Sequence, residues 1–217
     1  EAYGVIWGRS YVRDDNGTIV YDIDSNGIPR AQNGPNVILG KGVAPITMGW
    51  SNTINYKNWT MNFLIDGKFG GNISSGTNAG MVGRGQHKMT VDGRENGLTV
   101  SGIDGATGQP FTTTVQPSDL DSYWGRISGI AEEFVYDADY IKFRQVSLGY
   151  NFPKSILDQT FLTSARLSFI GRNLFYLSKD VENIDPESAY TAGNAQGLEY
   201  YGLPSTRSYG FSLNVKF

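Results

Sequence analysis

The 217-residue chain has no cysteine, which excludes disulfides, thiolate nucleophiles and cysteine-ligated metals. It does not exclude export, because a closed barrel needs no covalent staple. Histidine occurs once, at His87, between Gln86 and Lys88. There it reads as a solvated loop residue rather than a catalytic base. The net charge of -3 gives no basic footprint for nucleic acid. No apolar run approaches the length of a transmembrane helix. No signal peptide stands at the start, where Glu1-Ala2-Tyr3 already opens a strand-like pattern, so an exported chain would be a mature or truncated piece. Support for catalysis is thin. Glu132 and Glu133 are adjacent, and on a strand they would point to opposite faces. Gly71 to Thr77 has the spacing of a phosphate loop but no lysine.

What the chain has is glycine, 28 residues of it, and aromatics at 13%. That composition suits a β protein with many turns, either a barrel with an aromatic girdle or a soluble lectin-like sandwich. A mean hydropathy of -0.32 does not argue against a membrane, since lipid-facing and lumen-facing side chains alternate along a barrel strand. The last ten residues show that alternation. Tyr209, Phe211, Leu213, Val215 and Phe217 are apolar, and Ser208, Gly210, Ser212, Asn214 and Lys216 between them are small or polar.

Earlier in the chain, Tyr3 to Tyr11 reads as a strand, Asp14 to Gly17 as a turn, and Thr18 to Tyr21 as a short returning strand. Asp22-Ile23-Asp24-Ser25-Asn26-Gly27 fits the first half of a calcium loop, with Asp22, Asp24 and Asn26 as oxygen ligands. Its second half fails, because Asn33 stands where a bidentate glutamate is needed; an ordinary polar turn is the competing reading. Asn33 to Gly42 reads as loop. Ile46, Met48, Trp50, Ile54 and Tyr56, then Trp59, Met61, Phe63 and Ile65, form the apolar face of a long hairpin turning at Lys57-Asn58. Each arm has roughly the length a tilted membrane strand needs. Trp50, Tyr56 and Trp59 would anchor it at the interfaces.

From Gly70 to about Tyr136 the alternation vanishes, and the stretch reads as one long connection. Tyr140 to Phe152 is strand again, with a parity change that predicts a bulge near Arg144-Gln145. A helical turn is expected around Ser155 to Leu157. The next strand starts at Ala165, and Gly171-Arg172-Asn173-Leu174 ends or bends it. Lys179 to Thr206 is a second patternless segment. Long connections thus alternate with short ones, the sidedness of an outer-membrane barrel.

Five or six strands cannot close a barrel, whose smallest examples have eight, and an open edge in lipid leaves unpaired backbone groups. The chain therefore reads as either a soluble sheet or the C-terminal part of a larger barrel. Four stretches support the second. Gly202-Leu203-Pro204-Ser205-Thr206-Arg207-Ser208-Tyr209-Gly210-Phe211 through Phe217 resembles the C-terminus of the SusC/RagA-type TonB-dependent outer-membrane transporters of Bacteroidetes. Tyr140-Ile141-Lys142-Phe143-Arg144 with Leu148-Gly149-Tyr150 agrees, as does Gly171-Arg172-Asn173-Leu174. So does Tyr56-Lys57-Asn58-Trp59 followed by Asp66-Gly67-Lys68 and Gly70-Gly71.

The resemblance implies an all-β fold: residues 1–217 as the last strands and outer loops of a large antiparallel transmembrane β-barrel of 22 strands, with plug and earlier strands absent. It implies nutrient import with no catalysis and no cofactor. The implied substrates are oligosaccharides or peptides, and the implied partners TonB, acting through the missing N-terminal part, outer-membrane lipid and a SusD-like surface lipoprotein. Tyr209, Phe211, Leu213, Val215 and Phe217 would form the assembly signal. Loop aromatics that stack on sugars or peptides would be Tyr123, Trp124, Tyr190, Tyr200 and Tyr201, with loop packing as the alternative use of each. The competing class is a soluble carbohydrate-binding β-sandwich.

Overall fold

A computed structural model describes residues 3–189 and 191–217. In chain order the strands are β1 (Val5–Tyr11), β2 (Val20–Ile23), β3 (Pro29–Ala31), β4 (Asn33–Lys41), β5 (Ile46–Tyr56), β6 (Trp59–Phe69), β7 (Asn72–Ser75), β8 (Leu98–Asp104), β9 (Pro110–Val115), β10 (Val135–Asp137), β11 (Tyr140–Asn151), β12 (Ser164–Lys179), β13 (Leu198–Glu199) and β14 (Ser208–Lys216). Three short helices are α1 (Gly76–Gly83), α2 (Leu120–Ile127) and α3 (Lys154–Leu157). The chain forms two compact units. One comprises residues 44–70, 138–187 and 203–217; the other comprises 1–43, 71–137 and 188–202.

The first of these is a single antiparallel sheet in the order β14-β12-β11-β6-β5. Its hairpin follows from sequence. Tyr56 pairs with Trp59 across Lys57-Asn58, and Lys57 takes the positive φ of 50° that a two-residue hairpin turn demands. β6 and β11 align Trp59 with Tyr150, Met61 with Leu148 and Phe63 with Val146. The register then shifts between Phe143 and Gln145, leaving Arg144 as the extra residue. This is the expected bulge, and it returns Phe143 to the apolar face, opposite Ile65. On β12 the Gly171 to Leu174 stretch bends the strand without ending it. Asn173 takes φ of 51°, and pairing continues through Phe175 to Lys179. The short connections, Lys57-Asn58 and the α3 turn, lie at one end of the sheet, and the long segments leave and rejoin it at the other.

The second unit overturns two expectations. Residues 70–136 are not a structureless connection but supply β7, α1, β8, β9, α2 and β10. Its core joins Tyr11, Tyr21, Ala31, Val82, Val100, Val115, Leu120, Ile127, Ile130 and Phe134. Each element is three to eight residues long and buries at most three side chains, too few for a period to show in the sequence. α2 is typical, burying Leu120, Tyr123 and Ile127 on one face. Asn33 to Lys41, expected as loop, is β4, antiparallel to β1. The glycines that suggested a loop serve close approach instead: a Cβ on Gly34 would lie 2.9 Å from the Ser10 carbonyl oxygen, and one on Gly40 would meet Asn72. Not every pairing here is antiparallel, since β2 runs parallel to β8 and β13 parallel to β7.

Candidate functional site

One face of the five-stranded sheet is apolar and bare. Ile46, Met48, Trp50, Ile54 and Tyr56 on β5, Trp59 on β6, Leu148 on β11, Leu167, Phe175 and Leu177 on β12, and Tyr209, Phe211, Leu213 and Val215 on β14 are all exposed. Phe211 is 78% exposed and Trp50 57%, although both lie mid-strand. No second sheet covers them within the unit, so the β-sandwich alternative fails on packing. Most aromatic rings of this face gather in two bands, with Phe169 and Phe211 in contact between them. Near the short connections, Trp59 contacts Tyr150, Tyr150 contacts Phe152, and Phe161 stacks on Phe217 at 5.6 Å. Farther along, Trp50, Phe63, Phe143 and Phe175 form a continuous row across four strands. About six residues separate the bands, roughly 20 Å along a strand.

The other face is polar and cationic. The five strands carry seven lysines and arginines, and Asp66 is their one carboxylate. Lys142 is fully buried and donates to Glu187 Oε2 at 2.7 Å, Ser205 Oγ at 2.7 Å and the Tyr176 hydroxyl at 3.1 Å. Arg144, placed by the bulge, bridges Asp66 and Glu187, with 2.7 Å contacts to each. Asp185 accepts from the Ser205 amide and hydroxyl and from the Tyr176 hydroxyl. Burial alone would raise the carboxyls of Asp185 and Glu187. Their donors prevail and hold both at about 2: Ser205 and Tyr176 for Asp185, Arg144 and Lys142 for Glu187. Every buried charge in this knot is partnered, the condition under which buried ion pairs are tolerated. Residues 188–202 depart next to Glu187 and return next to Ser205, so one knot fixes both ends of that excursion.

Within the excursion stands an aromatic corner. Glu199 is buried against the start of α1 and accepts hydrogen bonds from Ser75 Oγ at 2.8 Å, Thr77 Oγ1 at 2.5 Å and the Gly202 amide at 3.1 Å. It thereby supplies negative charge at a helix N-terminus. The next two residues are displayed rather than packed, Tyr200 at 65% and Tyr201 at 49% exposure, with ring centroids 4.8 Å apart and planes at 78°. Tyr201 adopts the left-handed φ of 52°. Its hydroxyl accepts from Arg84 Nη1 at 2.9 Å, and its ring crosses α1 where Gly80 leaves room.

The other expected site residues are placed differently. Tyr123 lies in the core of its unit, a packing residue rather than a stacking platform. Trp124 packs against that core, and its indole N–H is buried without an acceptor among the described residues. Tyr190 lies outside the described residues. Asp24 Oδ1 accepts from the amides of Asn26 and Ile28, and Asp22 accepts from Gln32, an arrangement that closes a polar turn. Among the described residues no cluster of three or more acidic or histidine side chains is poised for a metal. His87 is buried, not solvated, and its Nδ1 accepts from the Met89 amide. Glu132 and Glu133 sit on a 3-10 turn, not a strand, and converge on Tyr11 instead of diverging. Sequence reasoning missed the knot, because Asp185 and Glu187 lie in a segment without periodicity; the run of cations on neighbouring strands was the signal that a counter-charge was needed.

No protein-family model matches the chain. Among curated proteins it is 30% identical to TonB-dependent receptor P3 of Formosa agariphila, over 94% of this chain and 19% of that protein. It is 28% identical to TonB-dependent receptor P39 of the same organism, over 83% of this chain and 17% of that one. The chain spans about a fifth of the length of these relatives. The RagAB peptide importer in its open-open state superposes with a TM-score of 0.66 at 18% identity, covering 98% of this chain and 22% of the matched one. Its closed-closed state gives 0.57 at 17% identity, covering 96% and 22%. This is the barrel fold of the SusC/RagA-type TonB-dependent receptors. In a TonB-dependent receptor barrel a five-stranded sheet with two free edges is a segment of wall, and neighbouring strands satisfy the edge groups of β5 and β14.

Proposed function

We propose that the chain is the C-terminal wall segment and outer loops of a TonB-dependent transporter in the outer membrane of a Gram-negative bacterium. The whole protein imports oligosaccharides or peptides, drawing on TonB through a plug outside this chain and on a SusD-like lipoprotein at the mouth. It performs no catalysis and needs no cofactor. One observation carries the reading: large apolar side chains stand exposed on all five strands of one face, and two aromatic bands bound that face. In water so large a bare surface is a liability; against hydrocarbon it is the favourable side. Tyr209, Phe211, Leu213, Val215 and Phe217 then face lipid and serve as the assembly signal.

This chain has no cysteine, so labels introduced here are unique within it once any cysteine elsewhere in the full-length protein is replaced. Spin labels placed at Leu148, Ser147, Phe169 and Ser168 of the full-length protein in liposomes should alternate along each strand. Labels at 148 and 169 should be relaxed by oxygen in lipid, and labels at 147 and 168 by a water-soluble nickel chelate. Uniform exposure to the chelate would overturn the proposal.

A further inference from the structure

The corner made by Tyr200 and Tyr201 has properties that loop packing does not require. Both rings are exposed, yet their backbone is fixed. Glu199 gathers four side-chain and backbone donors beneath them, and the Tyr201 amide donates to Thr77 Oγ1 at 2.8 Å. A non-glycine residue at φ of 52° carries backbone strain, which persists only where the surroundings impose it. Beside Tyr200, with Ser74, Gly76, Leu198 and Glu199 around it, lies a shallow cavity of about 380 Å³, the size of a small-ligand site. Arg84 reaches this corner through the Tyr201 hydroxyl and has no carboxylate partner among the described residues.

We propose that this corner is a subsite for an acidic oligosaccharide, with a pyranose ring stacked on Tyr200 and its carboxylate or sulfate ester held by Arg84. The inference rests on the importer reading above and names its substrate class. Flat exposed rings match the C–H faces of a sugar. The guanidinium, already oriented by one hydrogen bond, presents its remaining donors as a fork for an oxyanion. The corner offers a peptide little main-chain pairing, since β13 is only two residues long. The chain's overall negative charge does not oppose an anion here, because distant charges are screened beyond about 8 Å in physiological salt.

The full-length protein, purified in detergent, would be titrated with oligogalacturonate, a sulfated galactan oligosaccharide, a neutral galacto-oligosaccharide and an acidic peptide. At least one acidic glycan should bind more tightly than the neutral one, and comparing the two acidic probes tells carboxylate from sulfate. Tyr200→Ala should weaken the preferred glycan about tenfold, the scale of a lost aromatic contact. Arg84→Gln should reduce the preference for acidic over neutral glycan about tenfold, the scale of one charge-assisted hydrogen bond. Wild-type affinities in both variants, equal binding of neutral and acidic glycans, or loss confined to the peptide would each overturn the proposal. Both variants should still assemble as heat-modifiable barrels, so failure of this subsite remains distinct from failure of the transporter reading.

Discussion

At the residue scale, Lys142 is the most constrained side chain of the sheet unit, a buried cation with three acceptors. Lys142→Met keeps the length of the side chain and removes the charge. Glu187 keeps Arg144 as a partner, so the loss should fall below the 3–5 kcal/mol of a fully orphaned pair, at about 1–3 kcal/mol. Heat-modifiability on a gel would measure it, and Lys154→Met, exposed on α3, is the control. Acid probes the same contacts. Asp185 and Glu187 titrate below their ordinary values of 3.8 and 4.5, each at about 2. Their stabilisation is therefore complete above about pH 5 and lost as pH falls toward 2. Protease sensitivity of residues 188–202 should rise through that window, and Glu187→Gln should flatten the response. Gly80 tests the corner from below. A Cβ there would lie 2.0 Å from the Tyr201 hydroxyl, so Gly80→Ala should displace that ring and weaken any ligand that needs it, with barrel assembly unchanged.

At the scale of elements, β6 separates the two faces most sharply. Phe63 lies within the aromatic row beside Trp50 and Phe143, and Thr60 points to the polar side. Met61→Arg, between the two aromatic bands, should cost about 2–4 kcal/mol in a folding titration in lipid, the penalty for a cation near the bilayer midplane. Thr60→Arg should cost far less, and equal costs would mean that the faces are exchanged. The elements legible in the sequence were those whose environment repeats every second residue: β5, β6, β11, β12 and β14, the Arg144 bulge and the Lys57-Asn58 turn. Two solvents, one on each side, impose that period on every residue of a barrel strand. β7 to β10 have no such period, because each touches a core on one side over only three to seven residues. Glycine misled at β4, where close backbone approach, not turning, accounts for Gly34 and Gly40. Tyr200 and Tyr201, aromatics in tandem, are exposed as a stacking role would need. Tyr123 and Trp124 have the same tandem form but sit on α2, whose spacing turns Tyr123 inward with Leu120 and Ile127.

At the scale of the whole molecule, the wall segment must join strands that this chain does not contain, and its outermost strand is the place to test that. β14 pairs with β12 along nine residues, Ser208 to Lys216, and its other edge is open. Open backbone groups in hydrocarbon cost several kcal/mol each, so β14 must find a neighbour as the barrel closes. Phe217 sits just past the paired stretch, 77% exposed, its ring parallel to that of Phe161 in the α3 connection. Beyond that one stack its carbonyl oxygen accepts from the Thr163 hydroxyl at 3.3 Å, and deleting it removes no strand pairing. A purely structural role therefore predicts a loss of about 1 kcal/mol and normal amounts of barrel. A role in assembly predicts the reverse: stability of the folded fraction close to wild type, and a several-fold drop in the amount reaching the membrane. Measuring both quantities on the same full-length deletion separates the two, and we expect the second pattern. Phe161→Ala makes the comparison complete, since it breaks the same stack while leaving Phe217 in place and should leave assembly unchanged.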